Sequence, residues 1–167
     1  MTCYADDINI LGMGDRDVLI VCGIAKHGNI ERLIATALAH NFDPVIVGAP
    51  LVKSSTLDKH LDETAMYHRV ADIDELAIWL AERGVKDIVG LEICDESQDA
   101  GLMNWDTERG RIALMPGNEG TGLNSRQKEL CSRFVYIPQY GATVESLNVH
   151  VATTIALNLC CQKREKE

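Results

Sequence analysis

The chain has no apolar run that approaches the roughly 18–20 residues needed for a membrane-spanning helix. Its first residues, Met1 to Asp7, are polar and acidic, which is not the pattern of a secretory signal peptide. No two cysteines are spaced Cys-x-x-Cys, so a metal site is disfavoured and none is predicted. The six cysteines are Cys3, Cys22, Cys94, Cys131, Cys160 and Cys161. We expect a cytoplasmic protein with reduced, mostly buried thiols and no membrane partner.

Basic residues are also scarce, with 16 Lys and Arg against 25 Asp and Glu and a net charge of -9. Phosphate neutralisation needs Lys and Arg, so this balance argues against a free-standing protein that grips nucleic acid by bulk electrostatics. We expect no DNA partner. An RNA substrate would require a local basic patch or a separate RNA-binding partner protein.

What the sequence does contain is enough apolar material for one core. Of 167 residues, 46% are hydrophobic and 25% are charged, which fits a single compact domain over residues 1–167. No internal repeat, low-complexity tract or flexible linker divides it.

Short β-branched runs alternate with helical periodicity along the chain. The predicted strands are Asp17–Gly23, Pro44–Gly48, Tyr67–Val70, Lys86–Ile93, Arg111–Met115 and Arg133–Ile137. The predicted helices are Asn29–His40 with Asn29 as N-cap, Asp72–Arg83 with Asp72 as cap and Gly84 as stop, and Ser146–Cys161. Residues Lys53–Thr64 are predicted to be a loop or irregular helix. This alternation indicates an α/β fold with a parallel sheet flanked by helices on both faces.

A glycine-rich segment, Met115–Leu123 (MPGNEGTGL), follows one predicted strand. Glycines there let backbone approach a ligand closely, and ligands bind at the carboxyl ends of parallel strands. The segment matches neither GxGxxG nor GxxxxGK[ST], which disfavours a dinucleotide or P-loop site. Taken alone, it is also compatible with a simple glycine-rich turn.

A second segment, Ile137–Ala152 (IPQYGATVESLNVHVA), leaves a strand through Pro138 and enters the last predicted helix. Ser146 and Asn148 are small polar residues at the start of an otherwise apolar helix. Ser146 could serve simply as an N-cap, or both side chains could face a cleft.

Together the two segments resemble motifs of the TrmH/SpoU branch of the SPOUT methyltransferases, roughly GxExxGL followed by IPxxGxxxSLNVSxA. The matching residues are Gly117, Glu119, Gly122 and Leu123, then Ile137, Pro138, Gly141, Ser146, Leu147, Asn148, Val149 and Ala152. The helix that opens at Asn29 aligns with the family's first motif, so the likeness covers about Asp17 to Leu159.

The resemblance implies a SPOUT fold, whose C-terminal part is tied in a deep trefoil knot that binds S-adenosyl-L-methionine, and a homodimer with the active site near the interface. It implies RNA ribose 2′-O-methylation, with tRNA or rRNA as substrate. The cofactor-binding residues it implies are Leu91, Met115, Gly117, Asn118, Gly120, Ile137, Gln139, Ser146, Leu147 and Asn148. The catalytic residues it implies are Glu119, Ser146 and Asn148, with Arg32 as a substitute.

Arg32 is a substitute because the position of the family's first-motif Arg holds Ala35. Arg32 lies three residues earlier, so it shares a helix face with Ala35 and could bring a guanidinium to the same region. It could equally be a solvated residue paired with Glu31, and Lys26 or His27 are further candidates. His150 stands where the family usually has a small residue. The alternative function is a catalytically impaired SPOUT domain that acts as a cofactor-, RNA- or protein-binding module.

Overall fold

The computed structural model describes residues 16–48, 67–105, 110–141 and 146–164. Within these ranges, seven strands run in parallel in one sheet, in the spatial order β3-β2-β1-β6-β4-β7-β5. They are β1 (Asp17–Cys22), β2 (Phe42–Val47), β3 (His68–Val70), β4 (Asp87–Leu91), β5 (Ser97–Asp99), β6 (Ile112–Pro116) and β7 (Arg133–Tyr136). The predicted parallel α/β sheet is therefore confirmed.

In the described part of the chain, four helices cover the sheet: α1 (His27–Ala39), α2 (Ile73–Glu82), α3 (Ser125–Leu130) and α4 (Val149–Arg164). Alternation along β1 divides the core, because successive side chains of a strand point to opposite faces. Leu19 and Val21 pack with α1 and α4, whereas Val18 and Ile20 pack with α2. Helices on both faces leave the central strands buried, as their near-continuous apolar sequences predict.

The ends of α2 follow the local sequence signals. The Asp72 carboxylate accepts hydrogen bonds from the backbone N–H groups of Asp74 and Glu75, both at 2.9 Å. Gly84 has a φ of +67°, and the N–H of Val85 returns to the Leu80 carbonyl at 3.0 Å. A left-handed glycine with such a returning bond ends a helix. The predicted cap and stop are both confirmed.

The starts of α1 and α4 differ from the prediction. Helix α1 begins two residues before Asn29, with Lys26 at the N-cap position, so Asn29 is buried inside the first turn. Helix α4 begins at Val149 rather than Ser146. The residue that caps it is Asn148, whose Oδ1 accepts from the His150 N–H at 3.0 Å. Ser146 is therefore not the cap, and it lies in the turn before the helix.

Two short elements have no counterpart in the predictions. Strand β5 has the polar sequence SQD, and α3 has the sequence SRQKEL, so neither carries an apolar period. Helix α3 does carry a capping box between Asn124 and Gln127, which is a signal readable in sequence. The segment Lys53–Thr64 lies outside the described residues. No described helix has both the length and the apolar character to cross a membrane.

The strand order determines where a site can form. Strands β1, β6, β4 and β7 are consecutive neighbours, and all of them are parallel. Their carboxyl ends therefore meet at one edge of the sheet, which is where ligands bind in open α/β sheets. The glycine-rich segment follows β6, and the segment that begins at Ile137 follows β7.

Candidate active site

One cavity opens at the carboxyl edge of β4, β6 and β7, and the first turns of α4 close its side. Its volume is about 580 Å³ when the open mouth is included. Its lining comprises Leu91, Glu92, Ile93, Pro116, Gly117, Asn118, Glu119, Gly122, Tyr136, Ile137, Gln139, Ser146, Leu147, Val149 and Ala152. The glycine-rich segment and the Ser146 segment, far apart in sequence, thus meet at one site.

The loop after β6 is held by the Asn118 side chain. Its Oδ1 accepts hydrogen bonds from the N–H groups of Gly120 at 2.8 Å and Thr121 at 3.1 Å, and its Nδ2 donates to the Gly23 carbonyl at 2.6 Å. The backbones of Asn118 and Gly122 also bond reciprocally. Gly122 has a φ of +66°, a conformation that favours glycine. The loop is therefore a fixed backbone wall of the cavity.

Glu92 connects the loop after β4 to this glycine-rich loop. Its Oε2 accepts from the Leu123 N–H at 2.5 Å, and its Oε1 accepts from the Ile93 N–H at 3.1 Å. A Cβ atom built on Gly117 would lie 2.8 Å from Oε2, so the carboxylate occupies space that a side chain there would need.

A chain of hydrogen bonds joins Glu119, Asn29 and Asn148. Asn29 Nδ2 donates to Glu119 Oε1 at 2.6 Å, and Asn148 Nδ2 donates to Asn29 Oδ1 at 3.4 Å. Partial burial by itself would raise the pKa of Glu119, but hydrogen bonds from backbone N–H groups and the Asn29 amide outweigh it, and the pKa is lowered. The Glu119 carboxylate is therefore ionised at neutral pH and is a weaker base than an ordinary glutamate.

Beside this chain, α1 and α4 form a second polar contact. His150 Nε2 and Thr36 Oγ1 are 2.9 Å apart. Burial lowers the pKa of His150, and the positive charge of Arg32 lowers it further. Arg32 is exposed and forms no ion pair with Glu31 or any other side chain in the described ranges. Ala35, at the position of the family's Arg, is also exposed.

The structure brings most of the predicted site residues together. Of the residues predicted for cofactor binding, seven line the cavity: Leu91, Gly117, Asn118, Ile137, Gln139, Ser146 and Leu147. Met115 does not, because its side chain is fully buried in the core on the α2 face of the sheet. Gly120 is exposed at the tip of its loop, and Asn148 is exposed outside the cavity lining, with its amide bonded to Asn29.

Two residues at the site were not predicted to act there. Asn29 was interpreted as a helix cap because small polar residues before an apolar period usually are. The signal for a role at the site was that Asn29 is the residue with which the family's first motif aligns. Glu92 gave only a weak signal, namely a charged residue directly after a buried strand. No group of three or more metal-ligating side chains exists among the residues that the structure describes.

Comparison with known proteins yields consistent matches. Residues 17–158 match the model of the SpoU rRNA Methylase family. The chain is 37% identical over 155 residues to the 23S rRNA (guanosine-2'-O-)-methyltransferase RlmB of Coxiella burnetii, covering 89% of this chain and 59% of that protein. It is 32% identical over 145 residues to RlmB of Xanthomonas campestris, covering 84% of this chain and 56% of that protein.

Among solved structures, the SpoU methyltransferase AviRb from Streptomyces viridochromogenes in complex with AdoMet has the same fold. The TM-score is 0.76 at 23% identity, over 98% of this chain and 66% of that one. The chain thus spans little more than half the length of the two RlmB relatives that it matches.

Proposed function

Because the chain belongs to the SpoU rRNA methylase family, we propose that it transfers the methyl group of S-adenosylmethionine to a ribose 2′-hydroxyl of tRNA or rRNA. The observation that carries this proposal is the convergence of the Gly117 loop, the end of β4 and the Ser146 turn around one cavity. The RlmB relatives are named as ribose methyltransferases, which supports the same reaction here.

The residues of the cavity fit an adenosyl ligand. Leu91, Ile137 and Leu147 offer apolar surface for a flat aromatic base. Backbone at Gly117 and Gly122 stays bare, since a Cβ on either glycine would collide with the Glu92 carboxylate. Among the described residues of the lining there is no Lys, Arg or His, whereas two carboxylates are present, and this suits a ligand that carries a sulfonium charge.

When bound, S-adenosylmethionine supplies an electrophilic methyl group on a positively charged sulfur. The chain must hold the hydroxyl in line with that methyl and exclude competing water, because orientation supplies much of the rate in such transfers. The ionised Glu119 fixes the Asn29 amide, which in turn fixes Asn148, so the amide groups present their N–H and C=O atoms in one defined direction. We propose that Ser146 and Asn148 position the ribose of the RNA substrate, with Asn148 held in place by these hydrogen bonds.

We propose that Arg32 supplies the positive charge that Ala35 cannot supply. A guanidinium can hold the phosphate next to the target ribose by a charge-assisted hydrogen bond. Arg32 is exposed on the face of α1 that also carries Asn29 and Thr36, three and four residues away. The positive charge of Arg32 lowers the pKa of His150, which lies at the start of α4.

The test combines binding and turnover. Calorimetry with S-adenosylmethionine should detect cofactor binding, and methyl transfer from labelled cofactor to total tRNA and rRNA should label ribose 2′-oxygens. Absence of cofactor binding at millimolar concentration would refute the proposal. Cofactor binding without transfer to any RNA would instead favour the binding-module alternative, which no described contact and no relative's name supports so far.

We also propose that the chain is a single domain tied in a trefoil knot. The support for a knot is membership of the SpoU family, and the sheet order, with β6 and β7 on opposite sides of β4, is compatible with it. An experimental structure with a continuous trace from Ile137 to Val149 tests this directly. An unknotted path would refute it.

Finally, we propose that the chain works as a homodimer, with a separate RNA-binding protein as a further partner if the dimer alone does not capture RNA. Val151 in the first turns of α4 is 43% exposed and Tyr140 beside the cavity is 96% exposed. Exposed apolar side chains near a site support an interface there. Light scattering coupled to size exclusion would measure the mass; a monomer at micromolar concentration would contradict the dimer.

A further inference from the structure

Glu92 is a charged side chain at the cavity wall to which the proposed reaction assigns no role. It follows β4 directly, is half-buried, and lines the cavity beside Leu91. The family motifs in the sequence do not include it. Its contacts with both the loop after β4 and the glycine-rich loop make it the point where the two walls meet.

The Glu92 carboxylate can accept further hydrogen bonds. An ionised carboxylate has two oxygens with about four acceptor sites and no donor. Backbone N–H groups of Ile93 and Leu123 use one site on each oxygen. These two bonds also hold the carboxylate in a fixed orientation, so its remaining acceptor sites are already organised for a ligand that brings O–H or N–H donors.

The two glycines explain how the carboxylate reaches the wall of the cavity. A Cβ on Gly117 would lie 2.8 Å from Glu92 Oε2, and one on Gly122 would lie closer still. Because both positions lack side chains, Oε2 sits directly against the backbone of the loop. The bare backbone and the carboxylate therefore form one continuous surface.

The strand order separates Glu92 from the polar chain around Glu119. Glu119 and Asn29 contact each other and the loop after β1, on one side of β6. Glu92 follows β4, on the other side of β6. Neighbouring strands are about 4.8 Å apart, so Glu92 lies away from the proposed reacting end and next to the apolar surface of Leu91 and Ile137.

We propose that Glu92 binds the cofactor by accepting hydrogen bonds from the ribose hydroxyls of its adenosyl group. The inference rests on the proposed function, because it assumes an adenosyl ligand in the cavity. In such a ligand the ribose lies between the base and the sulfur. Glu92 follows β4, the strand between β6, whose loop carries Glu119, and β7, which is followed by Ile137. A vicinal diol brings two donors to the carboxylate, and carboxylates hold nucleotide riboses in this way in other α/β sheets.

The experiment measures binding of S-adenosylhomocysteine and of its 2′-deoxy and 3′-deoxy ribose analogues by calorimetry. S-adenosylhomocysteine lacks the sulfonium charge, so the ribose contact is isolated from charge attraction. Glu92→Gln keeps the size of the side chain, and Glu96→Gln removes the same charge at an exposed position nearby. We expect Glu92→Gln to weaken S-adenosylhomocysteine about 10- to 100-fold, the effect of one or two charge-assisted hydrogen bonds.

The analogues distinguish a ligand contact from a structural role. If Glu92 binds the hydroxyls, the wild-type protein loses about 10-fold or more in affinity for at least one deoxy analogue, and Glu92→Gln weakens that analogue far less than the parent compound. If Glu92→Gln weakens the binding of all three ligands by the same factor, the inference is overturned, because the carboxylate would then only hold the loop. Unchanged binding by Glu92→Gln would overturn it as well.

The wild-type measurement separates this inference from the proposed function. If the wild-type protein binds neither S-adenosylmethionine nor S-adenosylhomocysteine, the proposed function fails together with the inference. If the wild-type protein binds both and its affinity does not depend on either ribose hydroxyl, only the role of Glu92 fails. Should Glu92→Gln not fold, a wild-type affinity that depends on neither hydroxyl would still overturn the inference.

Discussion

At the scale of single residues, the Glu119–Asn29–Asn148 chain has one direction. Asn29 donates to a carboxylate that can only accept, so its Oδ1 must face Asn148, and Asn148 must donate to it. The Asn148 Oδ1 is then left to cap α4 through the His150 N–H. One ionised side chain therefore fixes two amides and the start of a helix.

Glu119→Gln tests the anchor of this chain. The pKa of Glu119 in the folded protein lies below its ordinary value of 4.5. A carboxylate with a lowered pKa stabilises the fold above its unfolded pKa, and this contribution is lost as pH falls through the folded pKa. We expect wild type to be more stable than Glu119→Gln at pH 7, and the difference to shrink below about pH 4.5.

Urea unfolding of both proteins between pH 3 and pH 7 measures this difference, with Glu96→Gln as the control for loss of one surface charge. If the difference in free energy of unfolding between wild type and Glu119→Gln stays constant down to pH 3, the role given to the carboxylate is contradicted.

Arg32→Ala tests the substitute cation. We expect methyl transfer to RNA, measured as kcat/KM, to fall about 10- to 100-fold, because a charged hydrogen bond to phosphate contributes about 1.5–3 kcal/mol. Cofactor affinity should not change, since Arg32 does not line the cavity. Arg126→Ala is the matched control, because Arg126 pairs with Asp74 on the opposite face of the sheet. Undiminished activity in Arg32→Ala would exclude the proposal.

At the scale of elements, the loop after β6 needs glycine at the positions that face Glu92. Gly117→Val should abolish cofactor binding, because even its Cβ would lie 2.8 Å from Glu92 Oε2 and 3.1 Å from the Gly122 Cα. The fold should remain, since the loop lies at the surface edge of the sheet. Calorimetry measures binding, and circular dichroism measures the fold.

Gly120→Ala is the control for Gly117→Val. Its added Cβ would meet nothing closer than Asn118 Oδ1 at 3.7 Å, an ordinary contact. We therefore expect Gly120→Ala to bind cofactor normally. Normal binding by Gly117→Val would show that this loop is not part of the cofactor site.

At the scale of the whole molecule, the net charge of -9 limits how RNA can be held. Among the described residues, Lys26, His27 and Arg32 are the basic residues near the start of α1, so we expect this surface to make about three phosphate contacts or fewer. The affinity for RNA should then fall with salt at a slope of about -2 to -3 in log units, at roughly 0.7–0.9 per contact. Filter binding between 50 and 200 mM salt measures it.

A slope near -6 for the isolated chain would contradict this prediction, because it would require about twice as many phosphate contacts as this surface offers. A steeper slope that arises only when a second protein is added would instead identify that protein as the source of the positive charge.

Prediction from sequence succeeded best where the signal was local. The Asp72 cap, the Gly84 stop and the buried runs of β1 and β6 each depend on residues within one turn or one strand. Strand β5 was not predicted because three polar residues become a strand only by pairing with β7. The family resemblance was confirmed by the match over residues 17–158. The roles of the individual site residues remain predictions.

The sequence by itself determined the α/β alternation, the family and most of the cavity wall, because these follow from periodicity and from short linear motifs. Only the tertiary structure decided that Asn29 is a buried link rather than a cap, and that Glu92 joins two loops. Asn29 and Glu119 are 90 residues apart, and they meet because β1 and β6 are neighbours in the sheet. Strand order is a property of the whole packed chain, and no local pattern encodes it.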